Sequence, residues 1–121
     1  MHRFIQVLFV SSLWGVASIA FAQSDAVNQE INTLLSRLES SHCEFNRNGS
    51  WYSASKARSH LERKLAYIEA RGELKSTEQF IELAATQSSF TGRAYQVRCP
   101  SAQAVPSQGW LMSQLEEIRG R

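Results

Sequence analysis

The chain has 121 residues, 43% of them hydrophobic, with a formal net charge of +2. That length holds one modest domain rather than two. No basic block stands out as a footprint for a phosphate backbone, so nucleic acid is not an expected partner.

The N-terminus reads as a targeting segment. Met1-His2-Arg3 is a short basic start, Phe4 to Ile19 is mainly apolar, and Ala20-Phe21-Ala22 has a small-x-small pattern. These parts in this order describe a cleavable secretory signal peptide over residues 1–22. A spanning helix wants about 20 apolar residues, whereas this run is shorter and contains Gln6, Ser11 and Ser12. No cysteine follows it, which disfavours a lipid anchor. The expected product is a soluble periplasmic protein, with no stable membrane anchor after cleavage, in which residues 23–121 form a single compact domain. Its charge is nearly balanced, with both signs spread along the chain. Both cysteines, Cys43 and Cys99, lie in this part. An even count in an oxidising compartment favours a disulfide between them, and no Cys-x-x-Cys points to redox or metal work.

The first predicted element is a helix that Ser24 or Asp25 can cap, with Val27, Ile31, Leu34, Leu35 and Leu38 on one face and Ser40-Ser41 at its end. Asn48-Gly49 follows, the strongest two-residue hairpin signal, because both central positions of a type I′ turn need positive φ. Ser53 can cap a second helix running to about Arg71, with Ala54, Ala57, Leu61, Leu65 and Ile68 on its apolar stripe and Gly72 as a stop. Ser76-Thr77-Glu78-Gln79 reads as a capping box for a third helix carrying Phe80, Leu83 and Ala84. Tyr95-Gln96-Val97-Arg98-Cys99 alternates as a half-buried strand does, Pro100 ends it, and Ser101 to Pro106 reads as a connector. Ser107 can cap a last helix with Trp110, Leu111, Leu115 and Ile118 on one face. The expected fold is α+β: about four helices with a minimal antiparallel sheet or hairpin, the strand ending at Cys99 pairing near Cys43. Trp51 and Tyr95 are expected to be mostly buried, as large aromatics in a small core.

Few residues resist a purely structural reading. Lys64 falls inside the apolar stripe of the second helix, with His60, Tyr67 and Arg71 along its margin. Charged groups avoid a buried face unless they are paired or able to snorkel. Lys64 and His60 could therefore edge a polar pocket for an anionic ligand, or Lys64 could lay its stem on the core and send its ammonium to water. His42, Cys43, His60 and Cys99 form no recognised metal-ligand spacing, so no metal is expected. There is no Gly-x-Ser-x-Gly elbow, and Asp25 is the only aspartate, so no Ser–His–Asp set suggests itself.

Three motifs carry a resemblance. They are Phe45-Asn46-Arg47-Asn48-Gly49-Ser50-Trp51-Tyr52-Ser53-Ala54, continuing through Ala57, His60-Leu61 and Lys64; then Thr77-Glu78-Gln79-Phe80-Ile81; then Ser88-Ser89-Phe90-Thr91-Gly92-Arg93-Ala94-Tyr95-Gln96-Val97. With these the chain resembles the YfeK-like family of small bacterial periplasmic proteins, a domain of unknown function. The resemblance implies export and a fold, and supplies no reaction. It draws attention to Arg47, Asn48, Tyr52, His60, Lys64, Ser88, Ser89 and Tyr95 as one polar binding cluster.

The reading that follows is a non-enzymatic binding or interaction module, an inhibitor or adaptor of another envelope protein, with no catalytic residues and no cofactor. Its partner is another envelope protein or a small anionic ligand. One alternative is a small hydrolase using His60 with a serine or glutamate, which requires those groups within hydrogen-bond reach. Another is a small-anion sensor built on Lys64 and Arg47.

Overall fold

The computed structural model describes residues 24–72 and 74–121. The signal-peptide reading of residues 1–22 lies outside the described residues. Four helices, α1 (Asp25–Ser40), α2 (Ala54–Glu69), α3 (Thr77–Ala84) and α4 (Ser107–Ile118), accompany four short strands: β1 (Glu44–Arg47), β2 (Ser50–Ser53), β3 (Gln96–Arg98) and β4 (Val105–Pro106). The strands form one antiparallel sheet in the order β2-β1-β3-β4. The fold is thus a small α+β domain. No helix among the described residues is long and apolar enough to cross a membrane.

Local chemistry sets most of the element ends. Ser24, Ser53 and Ser76 each turn a hydroxyl onto a free amide of the first helical turn, at Val27, Lys56 and Gln79. Such caps are worth about 1 kcal/mol each. The capping box of α3 is offset by one residue, because Gln79 Oε1 accepts from the Lys75 amide at 2.8 Å rather than from that of Ser76. The β1–β2 hairpin turns through Asn48 (φ 53°) and Gly49 (φ 87°), both left-handed as a type I′ turn requires. Asn46 Oδ1 accepts from the Gly49 amide at 3.1 Å and steadies the turn.

Two expectations for the C-terminal third need correction. The segment read as a connector contributes β4, where Val105 pairs with Val97 and Pro106 with Gln96. A proline lacks the N–H of a central strand, and β4 is an edge. Ser107 is not the cap of α4 but its first residue, after Pro106, and no side chain caps that end. Ser107 is instead buried, and its amide donates to the Tyr95 carbonyl at 2.8 Å.

One face of the sheet packs on the helices. Phe45 pairs with Tyr52 and Val97, so these three side chains share that face, with Arg47 and Tyr95 two residues along their own strands. Ile31, Leu34 and Leu38 of α1, Leu61 of α2, Phe80 of α3 and Leu111 and Leu115 of α4 complete the core with Phe45 and Val97. Tyr95 is buried as expected, whereas Trp51 is only half-buried. Period-two alternation puts Trp51 on the outer face, opposite Tyr52, where the Arg98 guanidinium covers its ring at 4.0 Å. The Cys43–Cys99 disulfide stands at the end of the β1–β3 pair, joining positions 56 residues apart.

Candidate ligand-binding site

Three elements meet where the inner sheet face runs out from under the helices. Phe45 of β1 is buried, and Arg47, two residues on, emerges at the margin. There Arg47 Nη1 lies 2.8 Å from His60 Nδ1 on α2. His60 Nε2 lies 3.2 Å from the Tyr95 hydroxyl just before β3, and Lys64, one turn further along α2, reaches the same hydroxyl at 3.2 Å. Lys64 Nζ also donates to the Gln87 carbonyl at 3.2 Å and sits 5.0 Å from the Tyr95 ring centroid. Arg47 is 5.1 Å from the centroid of Tyr52.

The protons in this chain can be assigned. Arginine only donates, so His60 Nδ1 must be the accepting nitrogen and Nε2 carries the hydrogen. The Tyr95 oxygen then accepts from both His60 and the Lys64 ammonium. Its own hydrogen remains to be donated elsewhere. The electrostatics agree with this ledger. Burial, then the charges of Arg47, Lys64 and Arg63, lower the His60 pKa to about 4, so its ring is neutral near pH 7. Burial and Arg47 also lower the Lys64 ammonium, while burial raises the Tyr95 phenol. The Arg47 guanidinium draws the Tyr52 phenol below its ordinary range.

Beside this network opens a cleft of about 210 Å³. Phe45, Tyr52 and Tyr95 supply apolar wall, Ser55, Ser59 and Ser107 supply hydroxyls, and Arg47, Lys56 and Arg63 supply positive charge. No described carboxylate lines it. Among the described residues, Arg47, Lys56, Arg63 and Lys64 make no ion pair, whereas Arg37, Arg58, Arg98 and Arg119 all do. No three His, Cys, Asp or Glu side chains among the described residues gather as metal ligands.

The residues singled out in the sequence fall into two linked groups and one outlier. Arg47, Tyr52, His60, Lys64 and Tyr95 belong to the cleft and its wall of hydrogen bonds. Asn48 and Ser88 join through a 3.2 Å hydrogen bond, next to the Gln87 carbonyl that Lys64 reaches. Ser89 is exposed and stands outside these contacts. Among the described residues, neither His60 nitrogen meets a serine or a glutamate, the geometry that a His60-based hydrolase requires. Lys56 and Arg63 were not among the expected site residues. The signal that marks them is the distribution of charge rather than its sum. No Asp or Glu occurs from Phe45 to Leu61 or from Leu83 to Leu115, and these two runs supply most of the cleft. The signs are therefore segregated rather than evenly spread.

The sequence model of a family of unknown function, DUF5329, matches residues 25–119. No curated protein and no solved structure matches the chain. The chain belongs to the DUF5329 family.

Proposed function

We propose that this DUF5329 member is a non-enzymatic periplasmic binding module of the YfeK-like kind, exported by its leader, and that the cleft beside His60 holds an anionic ligand. The observation that carries this reading is a concave site lined by Arg47, Lys56 and Arg63 with no described carboxylate to neutralise them. Clustered like charges repel one another, and the charge of Arg47 adds to burial, the larger cause, in lowering the pKa values of Lys64 and His60. A bound anion relieves that repulsion. The surplus hydrogen of Tyr95 and the hydroxyls of Ser55, Ser59 and Ser107 give an oxyanion further donors. The Cys43–Cys99 disulfide supports an oxidising compartment.

The walls narrow the ligand class. Phe45, Tyr52 and Tyr95 offer flat apolar surface beside the cations, which suits a carboxylate or phosphate carried on a planar or apolar body. The cavity is smaller than the ~300–1,000 Å³ of sites for drug-sized molecules. It fits a small acid, or the terminal group of a longer chain.

Thermal unfolding with phenyl phosphate, citrate, inorganic phosphate and neutral phenol tests this. The expected result is stabilisation that grows with phenyl phosphate concentration, reaching about 2.7 kcal/mol at 100 times the dissociation constant, with none from phenol. The gain should vanish in the Arg47→Gln, Lys56→Gln double variant. Equal stabilisation of the variant, or no stabilisation by any of the anions at millimolar concentration, would overturn the reading.

A further inference from the structure

Phe90 is 99% exposed. It stands at the tip of a loop whose backbone is held from several directions. At the base, Gln87 and Ala94 form an antiparallel bridge. The Ser88 amide donates to the Arg93 carbonyl at 2.9 Å, and the Gly92 amide donates to the Ser88 carbonyl at 2.9 Å. Ser88, 3% exposed, places its hydroxyl oxygen inside the loop, where it accepts from the amides of Phe90 and Thr91 and from Asn48 Nδ2. Thr91 Oγ1 donates to Asn48 Oδ1 at 2.7 Å and accepts from the Arg93 amide at 3.2 Å. The loop is thereby fastened to the β1–β2 turn, and Arg93 Nη1 lies over Gly49, 3.5 Å from where a side chain there would begin.

Leaving a phenylalanine in water forgoes about 2–3 kcal/mol of burial. A floppy loop could fold it away, but this one holds it out. A rigid exposed aromatic is what an interface anchor requires, because its ordering entropy is already paid before the partner arrives.

We propose that Phe90 is the anchor by which this protein docks on a folded protein partner, one that offers an apolar socket rimmed by carboxylates. The neighbours of Phe90 are Ser89, Thr91 and Gly92, small and polar, so the apolar contact is one ring deep and calls for a socket rather than a flat surface. The rim charge follows from Arg93, which has no ion pair among the described residues and sits in the acid-free run from Leu83 to Leu115. A second copy of this chain is a poor socket, because its own cleft is lined by cations and would meet Arg93 with like charge. A bilayer is disfavoured too, since stable attachment needs a broader apolar face than one ring.

The test places the photo-crosslinker p-benzoylphenylalanine at position 90 of the full chain, expressed in its own cells. The expected result is one crosslinked protein, with the crosslink mapping to an apolar pocket bordered by Asp or Glu. With that protein purified, Phe90→Ala should weaken binding at least about tenfold. Arg93→Gln should weaken it less and flatten its salt dependence. Because Phe90 touches so little, the melting temperature of the Ala variant should stay unchanged, which separates lost docking from lost folding. Crosslinks to lipid, to a second copy or to nothing would overturn the proposal. So would a partner whose affinity survives Phe90→Ala.

Discussion

The two sides of α2 treat positive charge in opposite ways. On one side Arg58 is enclosed by acceptors: Glu39 Oε2 at 2.7 Å, Glu62 Oε1 at 2.9 Å, Asn32 Oδ1 at 3.1 Å and Ser36 Oγ at 3.3 Å. On the other, Arg47 faces His60 and Lys64 faces Tyr95, with no carboxylate in reach among the described residues. The first arrangement ties α2 to α1 and leaves nothing for a ligand to do. The second retains donors and charge at the mouth of a cleft. What separates scaffold from site here is whether the charges are already answered within the fold, since both sides are rich in arginine or lysine.

The same contrast appears at the C-terminus. Arg119 donates twice to Glu30, at 2.6 and 3.0 Å, and once to Glu78 at 2.5 Å, joining the end of α4 to α1 and α3. Those hydrogen bonds hold the Glu30 and Glu78 carboxyls below their usual range. Arg119 therefore belongs with Arg58, on the answered side.

Three substitutions probe this division, in order of expected effect on stability. Replacing Cys43 and Cys99 together by serine should weaken both sides at once. The disulfide closes a loop across a 56-residue separation, worth about 4 kcal/mol in the chain-entropy model, and urea unfolding would read the loss. Arg119→Ala should cost on the order of 1–2 kcal/mol, because it leaves Glu30 without its paired hydrogen bonds. Arg47→Gln should leave stability within about 0.5 kcal/mol of the parent, since losing its hydrogen bond to His60 is offset by relief of its repulsion with Lys64, and yet it should abolish anion binding. A destabilisation by Arg47→Gln as large as that of Arg119→Ala would erase the distinction between the two sides.

Acidification gives an intermediate effect with a defined window. The folded pKa of His60 is lowered from 6.5 to about 4. Between these values the unfolded chain binds a proton that the folded chain does not. Stability is therefore fully present above about pH 6.5 and falls as pH drops toward 4, by on the order of 1 kcal/mol once solvent screening of a half-buried group is allowed for. His60→Gln should remove this part of the pH dependence. The depressed carboxyls of Glu30 and Glu78 contribute stability present above about pH 4.5 that is lost below it, so their effect appears at the more acidic end.

Much of the fold was legible because its signals are local. Ser24, Ser53 and Ser76 announce their helices, and Asn48-Gly49 announces the hairpin, from nearest-neighbour chemistry alone. Lys64 was legible as a charge within an apolar stripe, and it does stand half-buried against Tyr95. β4 was not legible, because two residues ending in proline become a strand only when β3 is present to pair with them. Nor was the exchange of roles at Ser107, whose burial depends on Tyr95 arriving from elsewhere in the chain. Ser88 and Ser89 look alike in sequence, and only the closed loop decides that one hydroxyl turns in and the other out. The cleft's cations were missed by counting net charge, whereas the two acid-free runs would have pointed to them.

If the charge around His60 binds an anion, the His60 ring reports on it directly. Its titration by NMR, with and without phenyl phosphate, is the most direct measurement. Without ligand the ring should titrate near 4. With ligand saturating, an anion in the cleft beside Arg47 should raise that value by at least about one pH unit, with resonance changes at Tyr52 and Tyr95 and none around Arg58. An unchanged His60 titration, or changes as large around Arg58 as in the cleft, would rule out anion binding at this cleft.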